Sequence, residues 1–144
     1  MRYRLPSPYE ELPHTADVSI RASGSTLNEV FARAALAMAQ LQAGGGPVEP
    51  SIARPIEAHA EDRASLLVDF CRQVLARFFE ERLLLGMIEV GSVGATTARA
   101  VGWFAQFDPA LHAEGADLKA VTYARSAVEP LPGGGFEATL IFDI

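Results

Sequence analysis

From Gly86 onward the spacing of apolar residues is strand-like throughout, and this change constrains the fold more than any other feature. Before it, two segments repeat apolar residues at the spacing of one helix face. After it, apolar and polar residues alternate, as in strands with one buried face. Early helices and late strands, without regular strand–helix–strand alternation, predict an α+β fold in which two helices pack on a mostly antiparallel β-sheet.

Two helices are predicted in the first part of the chain. The first is "LNEVFARAALAMAQLQ", which follows a capping box formed by Thr26 and Glu29 and ends at the glycine cluster 43–47. The second lies in "EDRASLLVDFCRQVLARFFEERLLLG", with Asp62 or Ser65 at its start and Gly86 at its end. Its apolar stripe consists of Leu66, Leu67, Phe70, Cys71, Val74, Leu75, Phe78 and Phe79.

Strands are predicted on both sides of these helices. "DVSIRAS" is a half-buried strand that starts at Asp17, and "PSIARPIEAHA", with two prolines, is an edge strand or an irregular connection. From residue 87 onward the strands are "MIEV", "ATTARAVGWFAQF", "KAVTYARSAVEP" and "GFEATLIFDI". The last two are predicted to form an antiparallel hairpin across "LPGGG".

Size and charge exclude several classes of protein. A chain of 144 residues predicts a single domain, 1–144. Its 12 basic residues, against 18 acidic ones, argue against tight nucleic-acid binding, which needs clustered Lys and Arg. One cysteine excludes an internal disulfide, and the apolar runs are too short to cross a bilayer. We therefore predict a cytoplasmic protein with no membrane partner.

Acidic groups stand at the ends of two predicted strands. Asp17 opens the first strong strand, and Asp143 with the terminal carboxylate of Ile144 closes the last one. If these ends meet at one rim of the sheet, three negative groups gather, and a hard cation such as Ca²⁺ or Mg²⁺ would relieve their repulsion. Two alternatives remain open: Asp17 caps a turn begun by "HTA", and Asp143 is an exposed strand-end charge. Zinc is not expected, since the histidines lack ligand spacing.

Lys119 is the only lysine, and it precedes a strand that is predicted to pair with the C-terminal one. It could neutralise the acidic rim or reach a phosphate of a partner. An ordinary lysine at a sheet edge explains it equally well, and we favour that interpretation.

Four motifs in order resemble the archease family. They are "YEELPHTADVSI", an acidic residue ahead of "LLVDF", "DLKAVTY" and the terminal "FDI", and the resemblance extends from Tyr9 to Ile144. It implies a small non-catalytic helper of the tRNA-splicing RNA ligase, the enzyme that joins a 2′,3′-cyclic phosphate or 3′-phosphate end to a 5′-hydroxyl. The helper promotes guanylylation of the ligase by GTP, which acts on the ligase itself, and so permits multiple turnovers.

The resemblance also implies a divalent-cation site and further functional residues. Calcium is the expected ion, with Mg²⁺ and Mn²⁺ as alternatives, and its ligands fall on Asp17, Asp143 and Ile144. Asp62 matches a further acid that the family needs, and His14 and Lys119 stand within the matching motifs. Ala124 departs from the family pattern, which has a histidine there, and His112 is a candidate replacement.

Two other function classes are alternatives to ligase activation. A metal-dependent hydrolase or nuclease would use Asp17, Asp62 and Asp143 around Mg²⁺, but no obvious nucleophile or base accompanies them. A general chaperone is the third class, and the sequence lacks the long disordered apolar segments that would favour it.

Overall fold

The computed structural model of the protein describes residues 1–12 and 17–144. Within these residues the α+β prediction is confirmed, with two helices and antiparallel strands. The elements in chain order are β1 (Arg2–Arg4), β2 (Glu10–Leu12), β3 (Val18–Gly24), α1 (Leu27–Ala43), β4 (Ile52–His59), α2 (Arg63–Glu81), β5 (Leu83–Val93), β6 (Thr97–Gln106), β7 (Ala120–Pro130) and β8 (Phe136–Asp143).

The strands form two four-stranded sheets instead of one. Their orders are β1-β5-β6-β4 and β2-β3-β8-β7, and every pair is antiparallel. The β7–β8 hairpin and the edge position of β4 are confirmed. The short strands β1 and β2 were not predicted, because three residues are too few to show a period.

Helix α1 fills the space between the two sheets. It packs on β5 and β1 of one sheet and on β3 and β8 of the other. Its buried residues surround the helix, and six of them are alanines: Ala32, Ala34, Ala35, Ala37, Ala39 and Ala43. A helix that is apolar all round belongs in a core, and small side chains let both sheets approach it closely.

Helix α2 covers one edge of each sheet. It packs on β7 and β4, both of which are edge strands. Arg72 Nε donates to the Val121 carbonyl at 2.9 Å, and Arg77 Nη2 donates to the Pro55 carbonyl at 3.1 Å. Asp69 accepts from the His59 N–H at 3.0 Å. The helix therefore binds backbone groups that a sheet edge would otherwise expose.

The starts of both helices follow the prediction. The Thr26 hydroxyl accepts from the Glu29 N–H at 3.1 Å, and Asp62 accepts from the Ser65 N–H at 2.8 Å. One detail differs: the Glu29 carboxylate accepts from the Ser25 N–H at 2.8 Å, one residue before the cap.

The predicted end of α2 at Gly86 is wrong. Arg82 adopts a left-handed conformation with φ of 57° and stops the helix at Glu81. Leu83, Leu84 and Leu85 then enter β5, where they are buried. A run of leucines fits a helix and a buried strand equally well, so burial in the sheet decides. Phe79, assigned to the apolar stripe, is 51% exposed.

No described helix combines the length and the apolar character that crossing a membrane requires.

Candidate functional site

The register of β3 and β8 places two of the predicted acids at one end of a sheet. Val18 pairs with Phe142 in this antiparallel ladder. Asp17 precedes Val18 and Asp143 follows Phe142, so both acids adjoin the same end of the ladder. Asp17 itself lies in a bend before β3, outside the ladder. The two acids therefore share one sheet end.

The start of β7 lies at the same sheet end. Asp143 pairs with Ala120, and the Lys119 N–H donates to the Asp143 carbonyl at 2.7 Å. The Lys119 ammonium forms an ion pair with Asp117, which is exposed. Lys119 thus neutralises an acid close to this sheet end. The acid is Asp117, which is not one of the three predicted cation ligands.

These residues suit a hard cation by the chemistry of their donors. Asp143 and Ile144 are exposed and Asp17 is half-buried, so an ion could reach all three from solvent. Their donors are oxygen atoms, which Ca²⁺ and Mg²⁺ prefer. Among residues 1–12 and 17–144, no group of three or more His, Cys, Asp or Glu side chains has the arrangement of a metal site. A cation here would need the main-chain carboxylate, water or a partner's oxygens to complete its coordination.

Asp62 lies away from this sheet end, as far as the contacts between described residues show. It caps the first turn of α2, whereas Arg72, the α2 residue that bonds to the start of β7, lies ten positions further along. Ten helical residues rise about 15 Å. Hydrogen bonds from Ser65, first that of its backbone N–H, lower the pKa of Asp62. Asp62 is therefore an ionised helix cap in the structure.

The histidines of the sequence analysis do not join the acids in the described structure. His14 lies outside the described residues. His112 is buried, its Nδ1 accepts from the Asp108 N–H at 3.0 Å, and its Nε2 donates to the Pro47 carbonyl at 2.8 Å. Both ring nitrogens are engaged, so His112 holds the 107–118 loop to the segment after α1.

Sequence reasoning missed an aromatic and basic cluster beside the start of β7. Between Thr122 and Ala127 the β7–β8 register shifts, and Arg125 within this bulge has φ of 56°. Tyr123 is half-exposed, and the Arg72 guanidinium lies 4.2 Å from its ring centroid. A bulge interrupts the alternation of apolar and polar residues by which strands are predicted. The position of this bulge therefore could not be predicted from the sequence.

Comparisons with known proteins agree with this architecture. The model of the archease protein family (MTH1598/TM1083) matches residues 9–144. A protein archease of Pyrococcus furiosus is 34% identical over 139 residues, covering 94% of this chain and 98% of its own. One from Methanosarcina acetivorans is 34% identical over 140 residues, covering 94% and 95%.

Two solved structures share the fold. The solution structure of protein 1598 of Methanobacterium thermoautotrophicum has a TM-score of 0.76 and 26% identity, covering 94% of this chain and 98% of that one. The crystal structure of a Thermotoga maritima protein described as "an archease, possible chaperone" has a TM-score of 0.58 and 13% identity, covering 99% of both chains. The chain is thus a two-sheet α+β protein with an acidic sheet end. It belongs to the archease family, and the resemblance inferred from its motifs is confirmed.

Proposed function

We propose that this protein activates a tRNA-splicing RNA ligase and carries a divalent cation, calcium foremost, on Asp17, Asp143 and Ile144. The observation that supports the proposal is the β3–β8 ladder, whose terminal pair Val18–Phe142 brings Asp17 and Asp143 to the same sheet end in a member of the archease family. Carboxylates gathered at one sheet end repel each other, and a bound cation would reduce that repulsion. A cation held there would supply positive charge for a partner's phosphates.

The contacts at the end of β8 and the charge of the chain support this proposal. The Lys119–Asp143 backbone hydrogen bond of 2.7 Å anchors the end of β8, and the Lys119 side chain engages Asp117. A net charge of -6 favours encounter with a basic, RNA-binding enzyme and disfavours tight binding of nucleic acid alone. In this proposal the protein is non-catalytic and cytoplasmic, GTP acts on the ligase, and the activator restores the ligase for further turnovers.

Replacement of either acid tests the proposal. Asp17→Asn and Asp143→Asn are expected to weaken Ca²⁺ binding at least about tenfold, since each removes one charged oxygen ligand. Both should abolish stimulated guanylylation of the ligase from the same organism. Calorimetric titration with Ca²⁺ and a GTP-dependent guanylylation assay measure the two effects. Glu129→Gln, an exposed acid at the far end of β7, is the control and should behave as wild type.

The proposal fails if both asparagine variants fold and still stimulate the ligase as wild type does. Extending the chain by one glycine after Ile144 tests the third ligand separately. The extension moves the terminal charge by one residue, so Ca²⁺ affinity should fall while the unfolding temperature stays unchanged. Unaltered affinity would remove Ile144 from the ligand set.

Chaperone activity is the second candidate, and the description of the Thermotoga maritima structure favours it. A chaperone would suppress aggregation of unrelated unfolded proteins independently of Asp17 and Asp143. A hydrolase would release phosphate from nucleotides or cyclic phosphates with no ligase present. Assaying both activities in the isolated protein separates these functions from ligase activation.

A further inference from the structure

A cavity of about 360 Å³ lies between the C-terminal end of α2 and the 107–118 loop. We call it the anchor cavity. The residues that line it include Gln42, Phe78, Arg82, Phe107, His112 and Asp117. It borders the candidate cation site, because Asp117 forms the ion pair with Lys119 and Lys119 hydrogen-bonds to Asp143.

Aromatic rings form the walls of the anchor cavity. Phe78 and Phe107 meet edge to face, with centroids 5.3 Å apart and an interplanar angle of 83°. The His112 ring lies 5.5 Å from Phe107, and the Arg82 guanidinium lies 5.0 Å from the centroid of Phe78. Both nitrogens of His112 already have backbone partners, so its ring offers a flat surface and no hydrogen bond. These walls suit an aromatic occupant.

A nearly buried polar residue, Gln42, stands at the end of α1. The residue is only 6% exposed and lines the anchor cavity. Within residues 1–12 and 17–144, Arg21 Nε is the one buried polar side-chain atom without a hydrogen-bond partner, so the Gln42 amide keeps access to solvent. Such an amide can exchange a water molecule for a polar atom of an occupant.

The position of Gln42 is fixed by a close approach of two backbones. A Cβ on Gly115 would lie 1.8 Å from the Gln42 carbonyl oxygen, so only glycine fits there. The Ala116 N–H donates to the Leu41 carbonyl at 2.8 Å and joins the end of α1 to the loop. The cavity is therefore built into the fold.

The surface around the anchor cavity is apolar, and its acids outnumber Arg82, the one Lys or Arg among the described residues that line it. Phe79, whose ring lies 6.1 Å from Phe78, is 51% exposed, and Leu111 is 50% exposed. Leu111, Asp108 and Glu49 line an adjoining cavity of about 380 Å³ that shares Phe107 and His112 with the first. Exposed apolar residues around a cavity mark a protein-binding surface, and the acids favour a basic partner. They would repel the phosphates of a nucleotide.

From these contacts we infer that the anchor cavity receives one tyrosine or tryptophan side chain from a basic surface of the RNA ligase. The ring packs against Phe78 and Phe107, and its O–H or N–H donates to the Gln42 amide oxygen. A buried aromatic anchor surrounded by weaker contacts is typical of the residues that dominate binding at protein interfaces. The inference rests on the proposed function, since the ligase is the partner, and adds to it a contact that needs no cation.

Filling the cavity from its rim tests this inference. Ala113 is exposed and lines the anchor cavity, so Ala113→Trp can occupy it without disturbing the core. We expect the Kd for the ligase to rise at least about tenfold, as loss of a dominant contact does. Ala113→Ser leaves the cavity open and should bind as wild type. Both variants should retain wild-type Ca²⁺ affinity. Titration of the full-length protein into purified ligase gives the Kd.

Gln42→Leu tests the polar contact with a side chain of similar size. It should weaken ligase binding about tenfold while the unfolding temperature stays about the same, because no hydrogen bond between described residues involves the amide. A residue with a purely structural role would lower the unfolding temperature instead.

The outcomes separate this inference from the proposed function. If wild-type protein neither binds nor stimulates the ligase, the proposed function fails. If wild-type protein stimulates the ligase and Ala113→Trp binds it as wild type does, the inference alone fails. A guanosine or adenosine titration that shifts the NMR signals of the cavity residues, with ligase binding unchanged in Ala113→Trp, would assign the cavity to a nucleoside and also overturn it.

Discussion

Among single residues, Glu29 has a role that its place in a capping motif only partly indicates. Its carboxylate accepts from the Ser25 N–H at 2.8 Å and from the Tyr3 hydroxyl at 3.2 Å, and Arg33 lies 3.6 Å away. These contacts join α1 to β1 and to the turn before the helix. The hydrogen bond from Ser25, ahead of the other contacts, holds the pKa of Glu29 below its ordinary value of 4.5.

Because that pKa is lower in the folded protein, Glu29 stabilises the fold above about pH 4.5 and ceases to do so as pH falls through the folded value. Glu29→Gln should therefore lower the free energy of unfolding at pH 7 by about 1 kcal/mol. The difference from wild type should shrink towards pH 3. Urea unfolding at both pH values measures it, with the exposed Glu80→Gln as control. An equal difference at both pH values would contradict this account.

The candidate site shows what single residues in a sequence can and cannot indicate. That Asp17 and Asp143 adjoin one sheet end could be predicted, because strand ends and charge are both visible in the sequence. The acid that Lys119 engages could not, since Asp117 lies in a loop whose path depends on the buried contacts of His112. The cavity that Gln42 lines was equally hidden, because three distant segments build it.

Among the elements, the junction of α2 and β5 combines strain with a change of structure. Arg82 takes φ of 57°, its N–H donates to the Phe78 carbonyl at 2.9 Å, and its carbonyl accepts from the Phe107 N–H at 2.8 Å. A left-handed conformation costs a residue with a Cβ about 1 kcal/mol relative to glycine. Backbone hydrogen bonds on both sides hold the junction in place despite that cost.

We therefore expect Arg82→Gly to be more stable than Arg82→Ala by about 1 kcal/mol. The comparison isolates backbone strain, because both variants lose the contact of the guanidinium with Phe78. Thermal unfolding of the two variants side by side measures the difference. Equal stabilities would mean that the junction is not strained.

The elements also show where sequence prediction reaches its limit. Both helix starts were predicted because Thr26 and Asp62 cap through local hydrogen bonds that spacing reveals. The end of α2 was missed because Leu83–Leu85 satisfy either structure, and β1 and β6 decide by enclosing β5 between them. The division of the strands into two sheets depends on which strands pack on each side of α1. These are contacts between distant segments, and no local sequence pattern predicts them.

For the whole molecule, the alanines of α1 set the spacing between the two sheets. Ala35 has no exposed surface, and both sheets pack on this helix. A larger side chain there would have to move a sheet, because the core has no space to receive it.

Ala35→Leu should lower the free energy of unfolding by about 1–3 kcal/mol through overpacking. Ala76→Leu, on the partly exposed part of α2, makes the same change and should be nearly neutral. Chemical denaturation of both variants tests this, and equal losses would contradict a helix tightly enclosed between sheets.

The place of β8 in the chain has a consequence for biosynthesis. Residues 136–143 are translated after every other strand, yet they lie between β3 and β7 in the middle of their sheet. A nascent chain cut short before this strand leaves β3 and β7 without their shared neighbour and Asp17 without Asp143. Prematurely terminated products would thus expose two unpaired strand edges, which proteases and aggregation-prone chains can bind.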